Sequence, residues 1–481
     1  MPSVRRCPAC PEARLTGHRE EPLCAVCMPA AREPVPGMFA WVFDSPLMRR
    51  VLADRNLGAV PAVFRASAGL SLYHVADLVD RSRHTVGSYE LGKRGALHDD
   101  RAFEQFAAAV GLAMLPYWFR IPDVALAGEP VLAAVLEALG VDVDRREFGG
   151  LAAGAAVAAM FPEVSVPSRV TSAHIRYLQV SVDTLYRQDR VVGGAAVLLA
   201  GLRSWQRARR MLTESGKTDT IKQQLIAVTA ELGVCAGWVA LSAGNHALAR
   251  RLYGQAQVLA GEIEIKDHDV KRVLTAHVLT NSSMLASYVA KEVGQDRNPA
   301  RAGVQLSCQA ADLARREHAP RLCALIAARH ARAASLLGDK AAFRSAITRA
   351  RRELDRSPQA SEPEWTRFVD EAEITGSEAA GYVNLGEFAS GEKLLHRVLD
   401  GSLSPRGQAA YGAELAMSLL GQGASQEPID AGLTVLSILD DGVTSGLALR
   451  KLRPVRVAAR RADNEEFCAR YDAVERSLTA A

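Results

Sequence analysis

The stretch Leu70-Ser71-Leu72-Tyr73-His74-Val75-Ala76-Asp77-Leu78-Val79-Asp80-Arg81-Ser82-Arg83-His84-Thr85-Val86-Gly87-Ser88-Tyr89-Glu90-Leu91-Gly92-Lys93-Arg94 decides how the chain is read. Two helix-length segments flank a sharp turn. Ser71 is placed to cap the first, whose inner face is Leu72, Val75, Ala76 and Val79. Ala76 is small where two helices would cross. Asp80 and Arg81 make the turn. Ser82 caps the second segment, with Val86 and Tyr89 turned toward a core. Arg81, Ser82, Arg83, His84, Thr85 and Ser88 are left on the outside. The first residues of such a second helix can reach base edges in the major groove of duplex DNA. Arg83 suits guanine, and Ser88 can donate to or accept from several bases. Thr85 and the helix amino terminus suit a phosphate. Lys93 and Arg94 suit neutralisation of the phosphate backbone.

This stretch resembles the Cro/repressor-type helix-turn-helix of the xenobiotic-response-element family. Leu70, Ser71, Ala76, Ser82, Thr85, Val86, Glu90, Gly92 and Arg94 match the family pattern. Two positions depart from it: Leu72 stands where a phosphate-contacting Gln is usual, and Asp80 where the turn usually has Gly. The resemblance implies a five-helix domain over 38–121, with a first helix near 57–68 and a closing helix at 100–110. The lead-in, with Phe39, Trp41, Pro46, Leu47, Arg49-Arg50 and Leu52, is similar to actinobacterial regulators that join this module to tetratricopeptide-like repeats. Trp365 to Glu373 is similar to them too. By that resemblance the chain is a transcription regulator and not an enzyme, with double-stranded DNA as partner. It would act as a homodimer, because such modules usually read two half-sites.

Residues 1–36 carry Cys7-Pro8-Ala9-Cys10 and Cys24-Ala25-Val26-Cys27, two C-x2-C pairs with 13 residues between them. This is close to four-cysteine zinc spacing, in which two turns each offer two thiolates to one tetrahedral ion. So short a segment cannot build its own core, so a structural Zn²⁺ held by Cys7, Cys10, Cys24 and Cys27 is expected to drive its folding. His18 lies between the pairs but is not needed. Cys235, Cys308, Cys323 and Cys468 stand singly in helical patterns and are expected in the core.

Outward from there, 122–170 reads as a linker with short helices, rich in Pro and Gly. From 171 to 481 apolar residues recur at helical spacing, with no convincing strand. Gly244, Gly294, Gly338, Gly386 and Gly421 punctuate this half at intervals of 50, 44, 48 and 35 residues. Each follows an apolar helix and precedes an Ala-rich one, where a left-handed cap costs Gly little. The pattern resembles tetratricopeptide repeats, stacked helix pairs forming an α-solenoid. The expected fold is therefore mainly α: a small amino-terminal zinc ribbon, the helix-turn-helix domain and a solenoid.

A solenoid's groove suits a peptide, a small signal molecule or a protein partner. Asn281 could hold a peptide backbone there and Trp365 could supply a stacking face, although both also read as ordinary packing residues. The alternative is a repeat scaffold that binds no DNA. Of 481 residues 48% are hydrophobic and 23% charged, with a net charge of +4, which neither demands nor excludes nucleic acid. No Gly-rich phosphate loop, H-E-x-x-H or G-x-S-x-G is present. Arg329, His330, His268 and Asp269 read as surface residues. No signal peptide and no apolar run long enough to span a bilayer is read, so a cytoplasmic, nucleoid-associated protein is expected.

Overall fold

A computed structural model describes residues 5–15, 21–35, 41–90, 100–112, 166–264, 268–294, 296–315, 319–356 and 364–480. The chain is mainly helical. It divides into two compact units. The first comprises Met1–Gln188, Leu199–Thr229 and Thr479–Ala481. The second comprises Asp189–Leu198 and Ala230–Leu478.

The first unit opens with strands β1 (Arg5–Cys7) and β2 (Cys10–Leu15), paired antiparallel, and a short helix α1 (Cys27–Ala30). Helix α2 (Pro46–Ala53) starts where Ser45 accepts from the Met48 N–H at 3.1 Å. Helix α3 (Val60–Ala68) ends at Gly69, whose φ of +62° is the left-handed conformation Gly favours. Helices α4 (Leu72–Leu78), α5 (Arg83–Glu90) and α6 (Asp100–Val110) follow.

The core of this unit is aromatic. Phe64 of α3 meets Trp41 and Phe43 of the lead-in at ring distances of 5.3 and 5.6 Å, and Phe106 of α6 at 6.1 Å. Tyr177, on α7 (Ser172–Val192), completes the cluster and donates its hydroxyl to the Val110 carbonyl at 2.8 Å. The first helix after residue 171 thus packs chiefly with the amino-terminal residues, which no local periodicity signals. Helix α8 (Gly194–Glu214) and α9 (Asp219–Ser242) come next. By length and apolarity α9 could cross a membrane, which corrects the reading that no run is long enough. Its apolar window is 83% buried in protein, as a core helix is.

In the second unit, α10 (His246–Gly261) leads into four helix pairs: α11 (His268–Val293) with α12 (Asn298–Ala314), α13 (Pro320–Leu336) with α14 (Lys340–Asp355), α15 (Glu371–Asn384) with α16 (Phe388–Leu399), and α17 (Pro405–Gly421) with α18 (Glu427–Asp440). The first helices of the pairs pack side by side, α11 on α13, α13 on α15 and α15 on α17. Helices α19 (Gly446–Lys451), α20 (Arg453–Arg461) and α21 (Glu465–Ala480) close the series.

Gly244, Gly294, Gly338 and Gly386 all adopt positive φ between helices, as their spacing suggests. Gly421 does not. It lies inside α17 with the Phe388 ring against it, and the left-handed turn residue is Gly423, at φ +81°. Two neighbouring glycines cannot be ranked from sequence, because only packing shows which is helical.

The ends of this unit meet. The Thr444 N–H donates to the Val192 carbonyl at 2.8 Å, and a side chain on Gly446 would collide with the Ala243 carbonyl. The segment after α18 thus packs on the turns that follow α7 and α9.

Candidate functional site

Helix α4 begins as expected, with Ser71 accepting from the His74 N–H at 3.2 Å. Val75 and Ala76 are buried. Asp80 sits at φ +51°, left-handed, in the position where Gly is usual. Asp tolerates this conformation better than most side chains, since its short polar group bonds locally. Ser82 then accepts from the Thr85 N–H at 3.1 Å. Val86 and Tyr89 are buried beneath α5, while Arg81, Ser82, Arg83 and His84 are exposed and Thr85 and Ser88 half-exposed. Lys93 and Arg94 lie outside the described residues.

Two further residues shape this surface, and sequence reasoning gave neither a role in it. Tyr73, 56% exposed, places its ring 6.0 Å from the Arg83 guanidinium, and so flanks the start of α5. Glu90 is fully interior and takes a bidentate pair from Arg65 of α3, at 2.7 and 3.0 Å. That pair fixes the angle of α5 against α3. The fork geometry of Arg suits a carboxylate, and removing one partner would strand a buried charge.

The four cysteines come together. Their sulfurs all lie within 4.8 Å of one another, with Cys10 at 3.4 Å from both Cys24 and Cys27. Tetrahedral Zn–S bonds of about 2.3 Å require sulfurs about 3.8 Å apart, so the donor set fits one such ion. No disulfide joins them. Burial opposes ionisation of Cys24, but the Cys27 backbone N–H and the neighbouring thiols bring it down to about 7. Burial pushes Cys10 and Cys27 up, reinforced for Cys27 by Cys10 and Cys24 and opposed for Cys10 by its hydrogen bond with Cys27. Four thiols this close are a donor set that a cation would convert to thiolates. His18 lies outside the described residues. The cluster docks on the helices beside it: Arg32 donates to the Ala66 carbonyl of α3 at 3.0 Å, and Asn56 to the Pro8 carbonyl at 3.1 Å.

Asn281 and Trp365 both make contacts to His277. Asn281 donates to the His277 carbonyl one turn back at 3.0 Å. Trp365 is 9% exposed and lies flat on the His277 ring, with centroids 3.5 Å apart and planes 2° from parallel. Burial holds that imidazole down to about 3.

Instead, the face shared by α11, α13, α15 and α17 carries buried charge. Glu414 is 1% exposed and pairs with Lys451 at 2.8 Å, and with Lys291 and Arg332 at 3.4 Å. Burial disfavours its ionised form, yet these three cations hold the carboxyl far below its ordinary range. Lys291 is lowered by burial to about 8. Arg329 pairs with Glu373, which also accepts from the Tyr411 hydroxyl at 2.8 Å. The expectation that Arg329 lies on the surface is therefore wrong. On α9, Trp238 donates to Asp189 at 2.9 Å, and Arg406 pairs with the same carboxylate at 3.1 Å.

Of the single cysteines, Cys235 is in the core, but Cys308 is exposed on α12, where its sulfur stands 3.8 Å from the His330 ring of α13. No protein-family model and no curated protein matches this chain.

Proposed function

We propose that the protein is a sequence-specific, double-stranded-DNA-binding transcription regulator of the helix-turn-helix kind. The observation that carries this reading is the opening of α5. Arg81, Ser82, Arg83 and His84 project outward from a capped helix start, while Val86, Tyr89 and the Arg65–Glu90 pair hold its other side. An exposed helix amino terminus with two Arg beside it suits phosphate and base-edge contact together. Cys7, Cys10, Cys24 and Cys27 hold a structural Zn²⁺, and the paired helices of the second unit form a tetratricopeptide-like solenoid. That unit senses a ligand or partner and carries the homodimer surface.

Gel-shift titration against the DNA flanking the protein's own gene tests the reading. A shifted complex is expected, and Arg83→Ala should weaken it by about 1–3 kcal/mol at unchanged fold. A folded protein that shifts no fragment would leave the repeat scaffold without DNA binding as the function.

A further inference from the structure

We propose that the face shared by α11, α13, α15 and α17 binds a small dianionic molecule with a planar body. This names the ligand class for the sensing role given above, and it rests on that role only for its regulatory consequence. Charge is the first observation. Five cationic side chains there, Lys291, Arg329, Arg332, Arg406 and Lys451, meet three carboxylates, Asp189, Glu373 and Glu414, in ion pairs among the described residues, an excess of about two positive charges within those pairs. Neighbouring pairs do not remove the surplus. Arg450 and Glu292 balance each other at 2.7 Å. Arg351 with Glu371 and Glu378 lies on the side of α15 turned from Glu373, as helical spacing requires. An uncompensated charge in a low-dielectric interior is costly, and a bound anion removes that cost.

Hydrogen bonding is the second observation. Arg332 Nε and Tyr253 Oη are buried and have no hydrogen-bond partner, in side chains 5% and 2% exposed. Burial pushes the Tyr253 phenol well up, and Arg329 and Asp189 are among the charges that act on it. Both atoms are donors, and carboxylate or phosphate oxygens are acceptors. Asp189 Oδ1 is also unpartnered and suits a hydroxyl or amine hydrogen of the same molecule.

The third observation is aromatic. The Arg332 guanidinium stands 4.9 Å over the Tyr288 ring, and Arg406 5.4 Å over Trp238. Tyr288, Trp238 and Tyr411 are only half-buried, so each keeps some accessible surface. Lys291, with 27% of its side chain exposed, marks the open edge. Glu414 already plays the anion's part for three of the cations. An extended peptide, whose backbone is neutral, would leave the surplus unanswered.

Thermal unfolding and calorimetric titration of the full-length protein test this. Phthalate, succinate and inorganic phosphate serve as probes, against NaCl of equal ionic strength. Phthalate is expected to raise Tm by about 3 °C near saturation, more than NaCl does. Lys291→Met and Arg332→Met should each weaken phthalate about tenfold or more, as loss of a charge-assisted hydrogen bond implies. Glu414→Gln should start from a lower Tm and gain more from phthalate than the unmodified protein. Arg83→Ala should respond unchanged, since its surface is the proposed DNA face. No shift beyond NaCl in either the unmodified protein or Glu414→Gln overturns the proposal. So does a shift that Arg83→Ala abolishes, or one given only by peptides. Phthalate binding that leaves DNA affinity untouched upholds the site and removes its regulatory role.

Discussion

The module around α4 and α5 and the face around Glu414 handle charge in opposite ways. In the first, the cations Arg81 and Arg83 are exposed, and the buried ion pair Arg65–Glu90 is neutral and geometrically complete. In the second, the cations lie inside, and outnumber the carboxylates they meet. On the proposals above, a large polyanion would meet the exposed surface and a small one the buried charge. The contrast also separates two uses of a buried acid. Glu90 is a fastener between two helices, and Glu414 is a counter-ion for a crowd.

Removing metal should break the comparison most severely. Chelation, or Cys10→Ser, is expected to unfold β1, β2 and α1 while the second unit keeps its helices. Structural zinc contributes on the order of 10 kcal/mol to such segments. Zinc content and limited proteolysis of the first 35 residues would show it, and a metal-free protein with that segment still protected would refute it.

The two acids come next. Glu90→Gln should cost about 3–5 kcal/mol in urea unfolding, because it strands Arg65. The double change Arg65→Met with Glu90→Leu should recover most of that loss, since well-packed apolar residues often replace a buried pair without penalty. Glu414→Gln should cost a similar amount with no such simple rescue, as three cations are left. The depressed Glu414 carboxyl also sets a pH dependence. Its contribution is full above the ordinary glutamate value and is lost as pH falls through the lower folded value, so the variant should unfold with a flatter acid profile.

His277 should give a smaller effect in a separate window. Its folded value of about 3 lies below the ordinary 6.5, so the unfolded chain takes up the proton first as pH falls. Stability should therefore decline from about pH 6.5 downward, by about 2 kcal/mol at about pH 5. His277→Leu should remove that slope, and a variant with the same slope would reassign it.

Asp80→Gly is the smallest test. It relieves a left-handed Asp at φ +51° and deletes a negative charge beside the proposed DNA face. A gain of roughly 0.5–1 kcal/mol in stability is expected, with tighter DNA binding in low salt. Unchanged affinity would mean that Asp80 points away from the phosphates.

Much of the helical framework is legible in the amino-acid order, because its signals are local. Ser71 and Ser82 sit one turn before the N–H groups they cap, and four turn glycines fall between helices. The cysteine cluster is legible for the same reason: two tight turns place four thiols, and only their meeting had to be supplied. Gly423 in place of Gly421, the exposed Cys308 and the buried Arg329 were not legible. Each depends on which side of a helix a distant neighbour occupies.

Sequence by itself determined where the helices capped by Ser71 and Ser82 start, where four of the turns fall, and which chemistry the first 36 residues can hold, since caps, turns and thiol spacing act over a few residues. Tertiary structure alone decided that Glu90 meets Arg65, that Glu414 gathers three cations, and that Trp365 is covered by His277. Those pairings join residues tens to more than a hundred positions apart, and a charge's burial is fixed by whatever packs over it rather than by its neighbours in the chain.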